Sequence, residues 1–387
     1  MCAAQDDPMA REATMKQLKS SFLPKFKRRA LRGLSGCVGA AWMFAAICTR
    51  HLSFVAWTWI EVPRSRSGAQ HCAHREIVAI PPAMDRAEEA HICKACGVQF
   101  SPHQNLPSVC PICSDERQAV PKDGQQWTTH TQLKNGPYMN KWTKYEPGLY
   151  AFNTEPKVGI GQRAFLIQTA HGNILWDCVS LLDDATIDIV KALGGLKAIA
   201  ISHPHYYANN AQWSSVFGNV PVYIHEKDKK WVMWEHENVK FWSGETLRVL
   251  EGATLIHLGG HFAGGQILHW AEAVDGKGAL LSGDIIQVNA LDHTTVSVMR
   301  SYPNYIPLSA SHVHRIAARL EPWAFERVYG GFWNYEVMKD GKARLSVSVA
   351  LSVRVLFLSV DETLPCWEKV DKCPSVRVLD MRQDEGI

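Results

Sequence analysis

Four short apolar runs in this chain each end in a side chain that binds metals, and that regularity restricts its fold more than any other feature. Ala198-Ile-Ala-Ile201 leads into Ser202-His203-Pro204-His205, and Thr254-Leu-Ile-His-Leu258 into Gly259-Gly260-His261. Ala279-Leu-Leu281 leads into Ser282-Gly283-Asp284, and Ile174-Leu-Trp176 ends at Asp177. Apolar runs bounded by turn residues read as strands. Two histidines at i and i+2 just past a strand turn toward one ion, and Pro204 keeps His203 extended. Glycines flanking His261 let backbone pack close to such an ion. His203, His205, His261 and Asp284 thus form a coherent ligand set for one metal.

The same alternation continues around these motifs. Residues 164–168, 220–224, 247–250 and 266–270 read as further strands. Residues 183–193, 210–217, 226–234 and 309–320 read as helices, with Asp183 and Ser309 as N-caps. Mixed strands and helices put the chain in the α/β class, with sheets covered by helices. Of 387 residues, 46% are apolar and 20% charged, enough to bury a core without help from disulfides. The net charge of +3 is small for this length and offers no footing for nucleic acid.

Upstream, Cys93-Lys-Ala-Cys96 and Cys110-Pro-Ile-Cys113 are separated by thirteen residues. Each pair bends around one cation, and four thiolates complete the closed tetrahedron of structural zinc. Such a knuckle stabilises a small subdomain and takes no part in catalysis. No strand-to-helix pattern surrounds either pair, which argues against a redox dithiol. The other seven cysteines follow no regular spacing and read as free thiols, which places the protein in a reducing, intracellular setting, cytoplasmic or organellar.

Residues 1–85 read as an extension outside the chemistry. Residues 15–60 lack Asp and Glu and are dotted with Lys and Arg, a composition resembling an organelle transit peptide, although Asp6, Asp7 and Glu12 precede it. The apolar run from Leu34 to Cys48 falls short of the ~20 residues needed to cross a bilayer, so membrane insertion is not expected. The expected divisions that follow are a zinc knuckle (86–120), a polar connector (121–150), a catalytic domain (151–345) and a tail without assigned role (346–387).

The order of motifs in the second half resembles the metallo-β-lactamase superfamily. That pattern runs from a strand-end aspartate through His-x-His-x-Asp-His, a Gly-His in a glycine-rich turn and a Gly-Asp to a last histidine. Leu175-Trp176-Asp177, His203-Pro204-His205-Tyr206-Tyr207-Ala208, Gly260-His261 and Gly283-Asp284 are similar to the first four, across residues 165–331. The resemblance implies an αββα sandwich, two mixed sheets back to back with helices outside and metal at one sheet edge, here preceded by the knuckle. Two departures bear on the metal. Tyr207 and Ala208 stand where the superfamily has the Asp-His of a second metal, and residues 327–331 read Arg-Val-Tyr-Gly-Gly where the last histidine is expected. A mononuclear site follows.

The expected function is hydrolysis of a small-molecule ester, thioester, lactone or phosphoester by hydroxide on a catalytic zinc. Asp284 would ligate the metal or hold its water, and Asp177 would orient a ligand histidine. The hydroxyl of Tyr206 or Tyr207 would steady a developing oxyanion, with Tyr207 the site candidate and ordinary packing the alternative. Two other readings stay open. One is a mononuclear iron dioxygenase of the persulfide dioxygenase type, because two histidines and a carboxylate also hold iron. The other is an inactive metal-binding or scaffold protein. His225, where a strand meets a helix, reads as a cap or a residue supporting the ligands, and His257, His269, His312 and His314 as structural or exposed.

Overall fold

In a computed structural model, which describes residues 89–358, the apolar runs become the inner strands of two sheets. The expectations for residues 1–85 and for most of the tail lie outside the described residues. The chain enters with β1 (His91–Cys93), paired antiparallel with β2 (Trp127–Thr129) around the cysteine segment, and a short helix α1 (His130–Lys134) follows. The first large sheet then forms in sequence order. It comprises β3 (Met139–Glu146), β4 (Leu149–Glu155), β5 (Arg163–Thr169), β6 (Gly172–Trp176), β7 (Ala198–Ala200), β8 (Val222–His225) and β9 (Val239–Trp242). Pairing is antiparallel up to β6 and parallel from β6 to β9. The three parallel steps need crossovers, which α2 (Asp184–Ala192), α3 (Asn210–Val216) and the segment with the 3-10 turn Glu226–Trp231 supply in turn.

The second sheet starts with an antiparallel meander of β10 (Thr246–Leu250), β11 (Ala253–His257), β12 (Gln266–Trp270) and β13 (Ala279–Gly283). Two small ladders interrupt it, β14 (Gln287–Val288) with β15 (Val296–Ser297), and β16 (Met299–Ser301) with β17 (Ile306–Pro307). After helix α4 (Ala310–Leu320), β18 (Arg327–Gly330) joins β13 in parallel and β19 (Glu336–Val337) closes the edge, before helix α5 (Gly341–Leu358). Asp183 and Ser309 cap α2 and α4 as expected, accepting from the amides of Thr186 and His312.

Period-two side-chain alternation sorts three cores. Phe165, Ile167, Ile174 and Trp176 of the first sheet meet Leu255, Leu268, Leu281 and Tyr329 of the second in a buried layer between the sheets. The opposite face of the first sheet, with Phe152, Leu166, Leu175 and Ile199, is covered by Val190 of α2, Trp213 of α3 and the knuckle cysteines. The outer face of the second, with Ile256, Ile267, Leu280 and Val328, is covered by Val313, Ile316 and Leu320 of α4 and Leu345 and Val349 of α5. Each fully buried aliphatic or aromatic side chain contributes ~1.5–3 kcal/mol. The layer order is the αββα sandwich, preceded by the cysteine segment.

Several boundaries differ from the sequence reading. Residues 121–150, expected as a connector, contain β3 and the first residues of β4, which form the edge hairpin of the first sheet. An edge strand with exposed Lys141 and Lys144 and no fully buried residue has little apolar alternation to betray it. Helix α5 begins in the expected catalytic domain and runs past residue 345, so the start of the expected tail packs on the second sheet. Residues 226–234 form a 3-10 turn, Glu226–Trp231, in place of a full helix. The short strands β9 and β18 were not anticipated.

Candidate metal centre

The carboxyl ends of the strands that carry the motifs converge at one edge, as happens at the mouths of parallel sheet segments. Immediately after β7, His203 is extended (φ −169°, ψ 172°), a conformation favoured by the proline that follows it. Pro204–Tyr206 then make one 3-10 turn that swings His203 and His205 to the same side. His261 comes from the glycine-rich loop between β11 and β12, and Asp284 from the residue after β13. One ligand atom from each of His203, His205, His261 and Asp284 lies within 4.8 Å of all the others, and all four residues are buried.

The cluster fits a metal ion on its own chemistry. The Nε2 atoms of His203, His205 and His261 are buried and lack any hydrogen-bond partner, an arrangement that leaves three acceptor lone pairs unsatisfied unless a cation takes them. Burial disfavours the charged form of two of these rings, with His261 pushed down to about 3 and His205 well below its ordinary value. The opposite ring nitrogens are held in place, His203 Nδ1 at 2.9 Å from Ser202 Oγ and His261 Nδ1 at 3.0 Å from the Met299 carbonyl. Burial pushes the Asp284 carboxyl up, but His203, His261 and the Tyr206 hydroxyl together hold it below its usual range.

Asp177 stands one step further out. Its Oδ1 accepts from the Ser202 amide at 2.7 Å, one residue from His203, and its Oδ2 is buried without a hydrogen-bond partner. Gly283 must be glycine, since its φ is 54° and a Cβ there would lie 2.4 Å from Ser202 Oγ. Tyr207, the candidate from sequence, does not touch the cluster. Its hydroxyl is buried without a hydrogen-bond partner, and the nearby charge is Asp228. Tyr206 reaches the cluster instead, donating to Asp284 Oδ1 at 2.6 Å. The next residue on a 3-10 turn points elsewhere, and no sequence signal separates the two tyrosines.

Gln266 had no signal either. Its amide donates to the carbonyls of Ile201 at 2.7 Å and Tyr223 at 3.1 Å, while Trp242 donates to its oxygen, so it ties the second sheet to the strand end that bears His203. His225 accepts from the Lys227 amide as a cap and stacks on His257, away from the ligand set.

At the knuckle, Cys93, Cys96, Cys110 and Cys113 are brought together and buried. Sγ separations are 3.7 Å for Cys93 to Cys113 and 3.8 Å for Cys96 to Cys110. Four sulfurs held ~2.3 Å from a tetrahedral zinc would lie ~3.8 Å apart, so these residues fit that ion. The four cysteines are unpaired as disulfides, and the Gln125 amide donates to Cys93 Sγ at 3.2 Å. Cys178 is also a buried free thiol, as expected.

The chain is 50% identical over 243 residues to a protein of Bacillus subtilis (strain 168) described as "Uncharacterized protein YmaE", a match spanning 62% of this chain and 88% of that one. The chain belongs to the YmaE family. No family model matches it. Among solved structures, VMB-1 is 17% identical with a TM-score of 0.42, covering 57% of this chain and 99% of that one. The metallo-β-lactamase FIM-1 of Pseudomonas aeruginosa in its mono-zinc form is 14% identical with a TM-score of 0.42, covering 58% and 99%. Among the described residues, no helix is long and apolar enough to cross a membrane.

Proposed function

We propose that this protein is a metal-dependent hydrolase of the metallo-β-lactamase type, with one catalytic zinc held by His203, His205, His261 and Asp284 and a structural zinc at the knuckle. The observation that carries the reading is the convergence of three buried imidazole nitrogens without hydrogen-bond partners and a carboxylate, of which His205, His261 and Asp284 line a cavity of about 290 Å³. A zinc ion bound there supplies Lewis acidity and lowers the pKa of a water ligand toward ~7. The chain does the rest. Ser202 and Met299 hold two of the rings in register, and Tyr206 keeps Asp284 ionised and turned toward them.

A single ion is supported by what surrounds Tyr206. One oxygen of Asp284 is taken by the Tyr206 hydroxyl, and a Cβ at Gly331, where the superfamily's last histidine would be sought, would lie 2.0 Å from that hydroxyl oxygen. The phenol therefore fills the space that a further ligand would need.

Beyond His205, His261 and Asp284, the cavity is lined by Gln118, Ile160, Gln287, Tyr302, Phe332 and Tyr335 among others, and none of its other lining side chains carries a charge. A small neutral ester, thioester or lactone suits such walls, whereas a phosphoester finds no cationic side chain among the described lining residues. The test is metal analysis of the purified full chain together with hydrolysis assays on p-nitrophenyl acetate, an acyl thioester, a neutral lactone and p-nitrophenyl phosphate. Two zinc ions per chain, with chelator-sensitive turnover of the neutral substrates, are expected. Iron in place of the second zinc with no hydrolysis would favour the dioxygenase reading, and bound metal without turnover of any substrate would favour the inactive one.

A further inference from the structure

We propose that the cysteine knuckle is a working part of the histidine centre, with Arg117 as a positioning residue for His261 and Gln118 as a wall of the cavity. The inference rests on reading the histidine cluster as a metal centre. It departs from the ordinary role of a closed thiolate site, which is to stabilise its own small subdomain.

Three observations carry it. First, the knuckle is bonded directly to the loop that follows the paired histidines and to two other loops of the first sheet. The Gln99 amide donates to the Ala208 carbonyl at 3.0 Å, the Ser101 amide to Met233 at 3.3 Å, and Ser180 Oγ to the Gly97 carbonyl at 2.7 Å. The four cysteines share one buried cluster with Tyr206, Tyr207 and Ala208.

Second, the segment leaving the last cysteine inserts a buried guanidinium beside His261. Arg117 is 3% exposed. Asp115 clamps its Nε at 2.6 Å and its second terminal nitrogen at 3.0 Å, which aims the remaining one at the His261 carbonyl at 3.4 Å. The central carbon of the group lies 4.2 Å from the ring centre of Phe262, the residue after His261. A planar fork that pairs on one edge and stacks on its face is specific to arginine.

Third, the same segment is stitched to the strand that orients the His261 ring. The Met299 carbonyl accepts from His261 Nδ1, and the residues just after it hold the knuckle. Ser301 donates to the Arg117 carbonyl at 3.2 Å, Asn304 to the Glu116 carbonyl at 2.7 Å, and Arg300 pairs with Glu116. His261 is thus gripped at its backbone by Arg117 and at its ring by a strand anchored on Glu116 and Arg117, while Gln118 continues into the cavity.

The experiment is cobalt titration of the full-length apoprotein, in which thiolate-to-cobalt charge-transfer bands report the knuckle and visible ligand-field bands report the histidine site. Arg117→Ala is expected to lower cobalt affinity at the histidine site at least tenfold and to shift its ligand-field bands, with the charge-transfer bands unchanged. Arg117→Lys should recover little, because an ammonium cannot keep both the Asp115 clamp and the reach to His261. Should Arg117→Ala fail to fold, Asp115→Asn, which keeps the shape but weakens the clamp, should give a smaller loss of the same kind. A variant that melts at lower temperature yet binds cobalt at the histidine site with wild-type affinity and spectrum would show Arg117 to be structural only and overturn the proposal. A wild-type chain that takes up cobalt at the cysteines alone would overturn the metal-centre reading itself, and the proposal with it.

Discussion

At the scale of single residues, the centre depends on a few side chains whose neighbours leave them no alternative. Replacing His203, His205 or His261 by Ala should weaken the ion by more than the ~10–100-fold typical of losing an outer hydrogen-bond partner, as read by equilibrium metal titration. Asp284→Asn should reduce occupancy less and turnover more, because it removes charge beside the ion and leaves the imidazoles in place. Gly331→Ala forces a methyl into the Tyr206 phenol and should both lower the melting temperature and loosen Asp284, whereas Tyr206→Phe loses only the hydroxyl bond, at a cost of about 1–2 kcal/mol. Equal effects of the two substitutions on metal affinity would show that the phenol does not set the site's shape. Away from the centre, His130 is buried between Leu182 and Gln212, and burial pushes it down to about 4. The unfolded chain takes up that proton near ~6.5, so stability is complete above that pH and falls as pH drops toward 4, by on the order of 2 kcal/mol. His236, also held down to about 4 by burial, acts in the same window. Urea midpoints measured from pH 7.5 to 4.5 should decline, and a flat profile would refute the assignment.

At the scale of elements, the two sheets are joined at their edges by polar contacts that bear more than their number suggests. Arg163 on β5 is fully buried, donates twice to the Gly330 carbonyl at the end of β18, and pairs with Glu336 on β19, while Tyr145 on β3 donates to the same carboxylate at 2.7 Å. Removing one partner of a buried pair leaves the other charge uncompensated, so Glu336→Ala should cost ~3–5 kcal/mol. The denaturation midpoint checks this. Because Arg163 also holds Gly330 and its amide donates to the Gly331 carbonyl, the same variant should disturb the space occupied by Tyr206 and weaken metal binding at the proposed histidine centre. A loss of stability without any change at the metal would separate the two roles. The edge hairpin of β3 and β4 matters for a related reason, since Tyr145 reaches the network only from that strand.

At the scale of the whole molecule, the metal-binding motifs and strand patterns read from the sequence all lie beyond residue 83. Deleting residues 1–83, so that the chain begins at Met84, should therefore leave a folded protein carrying two metal equivalents, verified by metal analysis and thermal melting. Aggregation of the shortened chain, cured by restoring the segment, would show that the extension packs on the domain. Cys93→Ser should remove one metal equivalent at the knuckle. If the knuckle also builds the histidine centre, the second equivalent should bind more weakly in that variant.

What the sequence determined by itself is local in origin. Thiolate pairs spaced for one ion, histidines two apart after an apolar run, and an aspartate after Ser-Gly announce their chemistry within a few residues, as do the N-caps Asp183 and Ser309. Strands such as β5, β7 and β13 were legible because burial leaves an unbroken apolar run, whereas the buried but short β18, which contains Arg327 and Gly330, and the edge strand β3, wet on one side and carrying lysines, were not. Only the tertiary structure decided which tyrosine serves Asp284, because neighbouring residues on a 3-10 turn differ in direction and nothing in their identity says which faces the cluster. Gln266 and Arg117 belong to the same class. Arg117 meets the backbone of His261 across 144 residues of chain, and a contact of that range exists only once two sheets and a knuckle have packed together. Local composition names the ligands, but the groups that hold them in place come from elements that folding alone makes neighbours.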